Sequence, residues 1–242
     1  MPALTARAVL DVWEQSQGLP PGGRALRLWS SLSGRSANDA SDATLGDRDR
    51  ALLAIHRSLF GQRIAGRADC PQCHEMLEVD VDLDMFDVPQ ALTTDRLLRM
   101  DGVVIEWRSP TARDLADLAR PMNGTRGARV ELLQRCVTAV RQGDRLLDFD
   151  DWPSEVASEL GAVMASADPL MDPRIELACA TCGHVWSICF DIATFLWCEI
   201  DDVARRLLSD VHCLASAYGW AESEILELTA ARRAAYLQLC SR

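Results

Sequence analysis

Cys70-Pro71-Gln72-Cys73 and Cys179-Ala180-Thr181-Cys182 are the residues of this chain best placed to do chemistry. A Cys-x-x-Cys turn aims two thiolates at one point about 2.3 Å from each sulfur, and two such turns complete a tetrahedral zinc site. Paired turns usually lie ~15–20 residues apart, whereas here residues 74–178 intervene. The entropy of closing a loop rises only slowly with its length, so an insert with neighbouring ends can interrupt a zinc ribbon at the tip of its first hairpin. The residue after the second Cys often needs left-handed backbone, which Gly183 adopts freely and His74 less readily. The expected ligands are Cys70, Cys73, Cys179 and Cys182, holding Zn2+ in a structural role.

Other chemistry fits these residues less well. A catalytic zinc keeps an open position for water and needs a nearby base, but here Cys fills all four positions. A redox dithiol normally sits at a helix start, which lowers its pKa; both pairs here lead into strand patterns. His74 and His184 stand beside the pairs, His74 directly after a Cys, where they read as polar flanking residues. Cys136, Cys189, Cys198, Cys213 and Cys240 read as small buried side chains. No nucleophile elbow, phosphate-binding glycine loop or zincin helix occurs. His56 and His212 lie in helical patterns without a matched nucleophile. No catalytic residue is assigned, and the expectation is that the chain is not an enzyme.

The elements that must position the cysteines are legible from periodicity. Leu4 to Gln15 has the spacing of an amphipathic helix, ended by Pro20-Pro21-Gly22-Gly23. An apolar stretch, Ala25 to Leu32, is followed by a polar loop through Ser41. Thr44 to Asp47 has the form of a capping box, opening a helix that buries Leu52, Leu53, Ile55, Leu59 and Phe60. After the first Cys pair, Leu77, Val79, Val81 and Leu83 alternate with acidic residues, the pattern of a strand with one solvated face. In residues 88–172 the sequence predicts a strand over Val103 to Trp107, a capped helix from Thr111 to Leu118, a helix marked by Val130, Leu133, Val137 and Val140, and a helix over Ser154 to Ala167 with Pro153 at its start. Short strands, Ile175 to Leu177 and Val185 to Ile192, flank the second pair. A long amphipathic helix runs from about Thr194 to Tyr218, and Gly219 stops it. Helices over Glu222 to Leu228 and Ala230 to Leu239 close the chain.

Composition narrows the classes. The 242 residues are 48% hydrophobic and 25% charged, ordinary for a folded protein, with a net charge of −11. All 25 basic residues are Arg. A strongly acidic chain is a poor phosphate binder, which argues against nucleic acid as a partner. No apolar run approaches the ~20 residues needed to cross a bilayer, and the start lacks the apolar core of a signal peptide. A cytoplasmic location follows as the expectation, with no membrane partner and no small-molecule substrate.

Phe190-Asp191-Ile192-Ala193-Thr194-Phe195-Leu196-Trp197, then His212-Cys213-Leu214-Ala215, Tyr218-Gly219-Trp220, Glu224-Ile225-Leu226, Arg232-Arg233 and Tyr236-Leu237, form the most distinctive stretch. This combination resembles the T4-family baseplate hub assembly proteins, encoded with contractile phage tails and phage-tail-like injection systems. The resemblance is clearest over residues 173–242 and weaker over 44–85; the first forty residues and much of the insert add nothing to it. It implies a non-enzymatic assembly chaperone or structural component, partnered by baseplate hub or spike proteins, whether or not it stays in the finished particle. The aromatic residues Trp197, Tyr218, Trp220 and Tyr236 are then candidate partner-binding anchors, with core filling as the alternative. The competing function is a zinc-ribbon adaptor of nucleic acid or the transcription machinery, to which the acidic charge is the main objection.

The expected fold is α+β, mostly helical, with a split zinc ribbon interrupted by an α/β insert. Its parts are an N-terminal helical region (1–61), the split ribbon (62–87 and 173–192), the insert (88–172) and a C-terminal helical region (193–242).

Overall fold

The structure, a computed structural model, describes residues 5–34, 36–88, 96–100, 102–118, 128–147 and 154–240. Leu4 and Pro153, assigned above to helix starts, lie outside them. The architecture is α+β and mostly helical, with antiparallel strands throughout.

Helix starts follow the side chains that can satisfy free backbone amides. Thr5 caps α1 (Ala6–Ser16), its Oγ1 accepting from the Ala8 amide at 3.2 Å. The Pro-Pro-Gly-Gly stretch does more than break α1, because it opens α2 (Pro21–Ser33). Pro21 occupies the first turn, where a missing amide proton costs nothing. The polar stretch before Ser41, expected as a loop, contains the short α3 (Ala37–Asp42), capped by Ser36. Thr44 caps α4 (Leu45–Phe60) as its sequence predicts: Thr44 Oγ1 accepts from the Asp47 amide at 3.1 Å and donates to the Asp47 carboxylate at 2.9 Å.

A first hairpin follows, β1 (Arg63–Asp69) against β2 (Met76–Asp82). Leu83, expected to end the strand, instead begins a single 3-10 turn over Leu83–Phe86. Residues 96–167 then supply β3 (Leu97–Met100), β4 (Val103–Trp107), α5 (Ala112–Leu118), α6 (Ala128–Cys136), β5 (Val137–Gln142), β6 (Arg145–Leu146) and α7 (Ser154–Ala167). The four strands form one antiparallel sheet in sequence order. The helix expected through Val137 and Val140 is corrected here: it ends at Cys136, and both valines lie on β5. Apolar residues three and four apart satisfy a helix, yet Val137 and Val140 are β-branched and pair with Trp107 and Ile105 of β4.

The second hairpin is β7 (Arg174–Ala178) against β8 (Val185–Cys189). The strand expected to reach Ile192 stops at Cys189 because Asp191 caps α8 (Ile192–Tyr218), its Oδ1 accepting from the Thr194 amide at 3.1 Å. Gly219, in left-handed backbone at φ 71°, ends α8. The short α9 (Glu222–Glu227) and α10 (Ala230–Cys240) return along it.

The main core joins helices to both hairpins: Leu28 and Leu52 from α2 and α4, Ile64 and Val81 from the first hairpin, Leu177 from the second, Leu196 from α8. A second cluster gathers Ile105, Trp107, Leu133, Cys136, Val156 and Leu160, all from residues 98–164. A third, small cluster packs Leu10 of α1 on Ala204 and Leu207 of α8 and Leu226 of α9. His56 is completely buried; its Nδ1 lies 3.2 Å from the Gly61 carbonyl oxygen and its Nε2 3.1 Å from Glu199 of α8. His212 is exposed.

The two cores meet where two capped helix starts face each other. Thr44 and Thr111, the N-terminal neighbours of α4 and α5, form an antiparallel bridge, and the Leu45 amide donates to the Pro110 carbonyl at 2.9 Å. Arg113 pairs with Asp42 at 2.7 Å beside them. Behind α5, Arg108 forks onto the buried Asp114 at 2.7 and 2.8 Å and also donates to the Arg135 carbonyl. Burial pushes the Asp114 carboxyl up, but hydrogen bonds from Arg108 and from the Thr111 amide and hydroxyl outweigh it and hold its pKa to about 2. On the other side of α4, the Asp168 carboxylate lies against Gly46 where a Cβ would stand.

Two outcomes follow from this junction. Asp114 is more acidic folded than unfolded, so its contribution is complete above pH ~4 and fades as pH falls toward 2; it amounts to about 2 kcal/mol. The stability difference between wild type and Asp114→Asn, measured by urea titration, should therefore shrink across that window, and a pH-independent difference would refute the linkage. Gly46→Ala should cost about 1–3 kcal/mol, because the new methyl must displace a buried carboxylate; an unchanged melting temperature would show that Asp168 moves freely.

Candidate metal centre

Each Cys pair sits at the tip of its own hairpin, and the two tips are built alike. The Cys70 amide donates to the Glu75 carbonyl and the Cys179 amide to the His184 carbonyl, both at 2.9 Å. The His74 amide donates to the Cys70 carbonyl and the Gly183 amide to the Cys179 carbonyl, again both at 2.9 Å. That turn requires left-handed backbone after the second Cys. Gly183 has φ 74°, and His74 has φ 61°, the one positive φ at a non-glycine among the described residues. The insert therefore follows β2 and precedes β7; it does not break the tip of a hairpin, as the sequence reading expected.

The tips bring all four sulfurs within 4.8 Å of one another. Cys70 and Cys182 lie 3.6 Å apart across the hairpins, as do Cys73 and Cys179. Sulfurs bound tetrahedrally at ~2.3 Å stand about 3.8 Å apart, whereas a disulfide needs about 2.05 Å. The donor set thus fits a metal ion and not a pair of crosslinks. Cys70 and Cys179 are buried, Cys73 and Cys182 exposed. Neither His74 nor His184 belongs to the group of donors.

Backbone amides at the tips already favour thiolates. The Cys182 amide, followed by that of Thr181, outweighs burial and lowers Cys179 to about 7. The Glu75 amide likewise lowers Cys73, but burial and the other three sulfurs overcome it and push Cys73 up to about 12. Four thiols this close cannot all ionise by themselves; a divalent cation removes that conflict.

The remaining sequence candidates separate. Tyr218, Trp220 and Tyr236 meet at the far end of α8: Tyr218 stacks on Trp220 at 4.7 Å, and Tyr236 stands edge-on to Trp220 at 4.9 Å. Trp197 is elsewhere, half-buried against the main core with Arg24 4.7 Å above its ring. Of the scattered cysteines only Cys136 is buried; Cys189, Cys198, Cys213 and Cys240 are exposed, contrary to the sequence reading. Cys189 takes the exposed alternation of β8, and Cys198, Cys213 and Cys240 take the outward sides of α8 and α10. The amides of Glu75 and His184 were missed as parts of the site. Their signal was the repeated frame Cys-x-x-Cys-x-x-apolar-strand, shared by 70–76 and 179–185.

No helix among the described residues is long and apolar enough to cross a membrane. No curated protein and no solved structure matches the chain. The sequence model described as T4 bacteriophage base plate protein matches residues 34–197. The match takes in both Cys pairs and the insert between them, and stops early in α8, so residues 198–242 lie beyond it. Extending over more than half of the chain and across the whole candidate metal centre, it shows that the chain belongs to the T4 bacteriophage base plate protein family.

Proposed function

We propose that the chain is a non-enzymatic assembly factor or structural component of the baseplate hub in a contractile phage-tail-like injection system, held in shape by structural zinc. The family match carries the baseplate reading. The assembly-chaperone role and the injection-system setting rest on the sequence resemblance over residues 173–242, most of which lie beyond the matched range. Zinc is the metal that suits four thiolates in tetrahedral array, and four protein ligands leave no position for a reacting water. Cys70, Cys73, Cys179 and Cys182 are its ligands in this reading, and the metal clasps the two hairpins while residues 88–172 form a module between them.

The partner surface in this reading is the aromatic end of α8. Tyr218 is 40% exposed, and Trp220 and Tyr236 are half-buried, so the three rings keep open edges for a hub or spike protein. Trp197, enclosed under Arg24, contributes less direct contact than those three.

Elemental analysis of the purified chain should find about one zinc per chain, and Cys70→Ser or Cys182→Ser should abolish cooperative unfolding, since structural zinc binding is folding free energy. Protein free of zinc with all nine thiols titrating would overturn the metal assignment. For the surface, Trp220→Ala should weaken capture of a baseplate hub or spike protein by at least about tenfold while shifting the melting temperature by only a few degrees. Unchanged capture, or collapse of the fold, would assign the three rings to packing alone.

A further inference from the structure

A cavity of about 580 Å³ opens between the insert and the main body, outside the metal centre and away from the aromatic end of α8. Its floor is apolar, made by Leu45, Leu115, Leu132, Met164 and Met171. Among the described residues its charged lining is Arg48, Arg129 and Arg174 against the carboxylate of Asp172, a cationic excess in a chain of net charge −11. Arg48 and Arg174 are each held through Nε, by Asp49 at 2.6 Å and Asp172 at 3.0 Å, which leaves their Nη nitrogens as donors. Arg129 is exposed, at the end of α6 that faces α7. One wall is the face of α7 carrying Ser158, Gly161, Ala162 and Ala165, and the small residue at 161 leaves room for the Arg129 guanidinium, whose Nη2 lies 2.7 Å from where a Cβ would stand.

We infer that this cavity binds a segment of a partner polypeptide in which a carboxylate lies beside apolar side chains. The apolar floor takes the side chains, and the guanidinium forks match a carboxylate in geometry as well as charge. A second cavity of about 440 Å³ shares Arg48, Leu115 and Met171 with the first, so the groove continues past the space one small acid would fill. The charged lining of that second cavity is Arg48 with Asp49 and Asp191, which directs the carboxylate to the first. The inference rests on the reading of the chain as an assembly component only in expecting a polypeptide; the charge and shape of the groove stand without it.

Selection of a random linear peptide library on the full-length, metal-loaded chain tests this without a known hub partner. The expected winners carry Asp or Glu next to Leu, Ile or Phe, bind more weakly at high salt, and lose at least about tenfold in affinity to Arg129→Glu and to Ala162→Trp. Both positions are exposed, so melting curves should match wild type. Basic winners, winners indifferent to both variants, or no winners would overturn the inference. Dodecanoate binding as tightly as the best peptide, and competing with it, would overturn the polypeptide occupant.

Discussion

Two hairpins separated by a complete insert meet at their tips through four sulfurs, and the course of the chain into and out of the insert depends on that meeting. The hairpins form separate two-stranded sheets, with no ladder joining one to the other. Beside the shared apolar core, the cysteine cluster is what links their outer ends. An isolated two-stranded hairpin is marginal in water. Here each has one face on the helical core and its tip fixed against the other, so residues 69 and 178 are held in one small volume. α8 starts directly after the second hairpin and inherits its position from it.

The insert is fastened by different means. Its own apolar cluster gives it internal cohesion, and its junction with the body is polar: facing threonine caps, the Arg113–Asp42 pair, and Asp168 against the start of α4. Such a junction fixes direction more than it adds stability, since most of its groups exchange water for protein partners at little net gain. The family match spans both hairpins and this junction.

Much of this was legible in the sequence where local chemistry dictates conformation. The Thr44 and Thr111 caps, the left-handed residues after each Cys pair and the buried stripe of α8 all follow from side chains within four residues of one another. Legibility failed where a distant partner decides. β1 carries no clean alternation, since Gly66 stands where Phe195 presses on the strand, and it is a strand because β2 pairs with it. Val137 and Val140 fit a helical period, yet β4 claims them. The cysteine spacing indicated which residues would converge but not that each pair would cap a hairpin of its own. The arginines of the cavity come from α4, α6 and β7, and nothing in their local sequence groups them.

α8 adds a mechanical property. It is 27 residues long, which makes it a rod of about 40 Å, with one end set in the core beneath the hairpins and the other at the rings of Tyr218, Trp220 and Tyr236. A tilt of about 10° at the seated end would carry the far end through about 7 Å over that length. Because α1, α9 and α10 pack along the rod, such a tilt must carry them with it, so the sulfur clasp and the aromatic tip are the two ends of one stiff body.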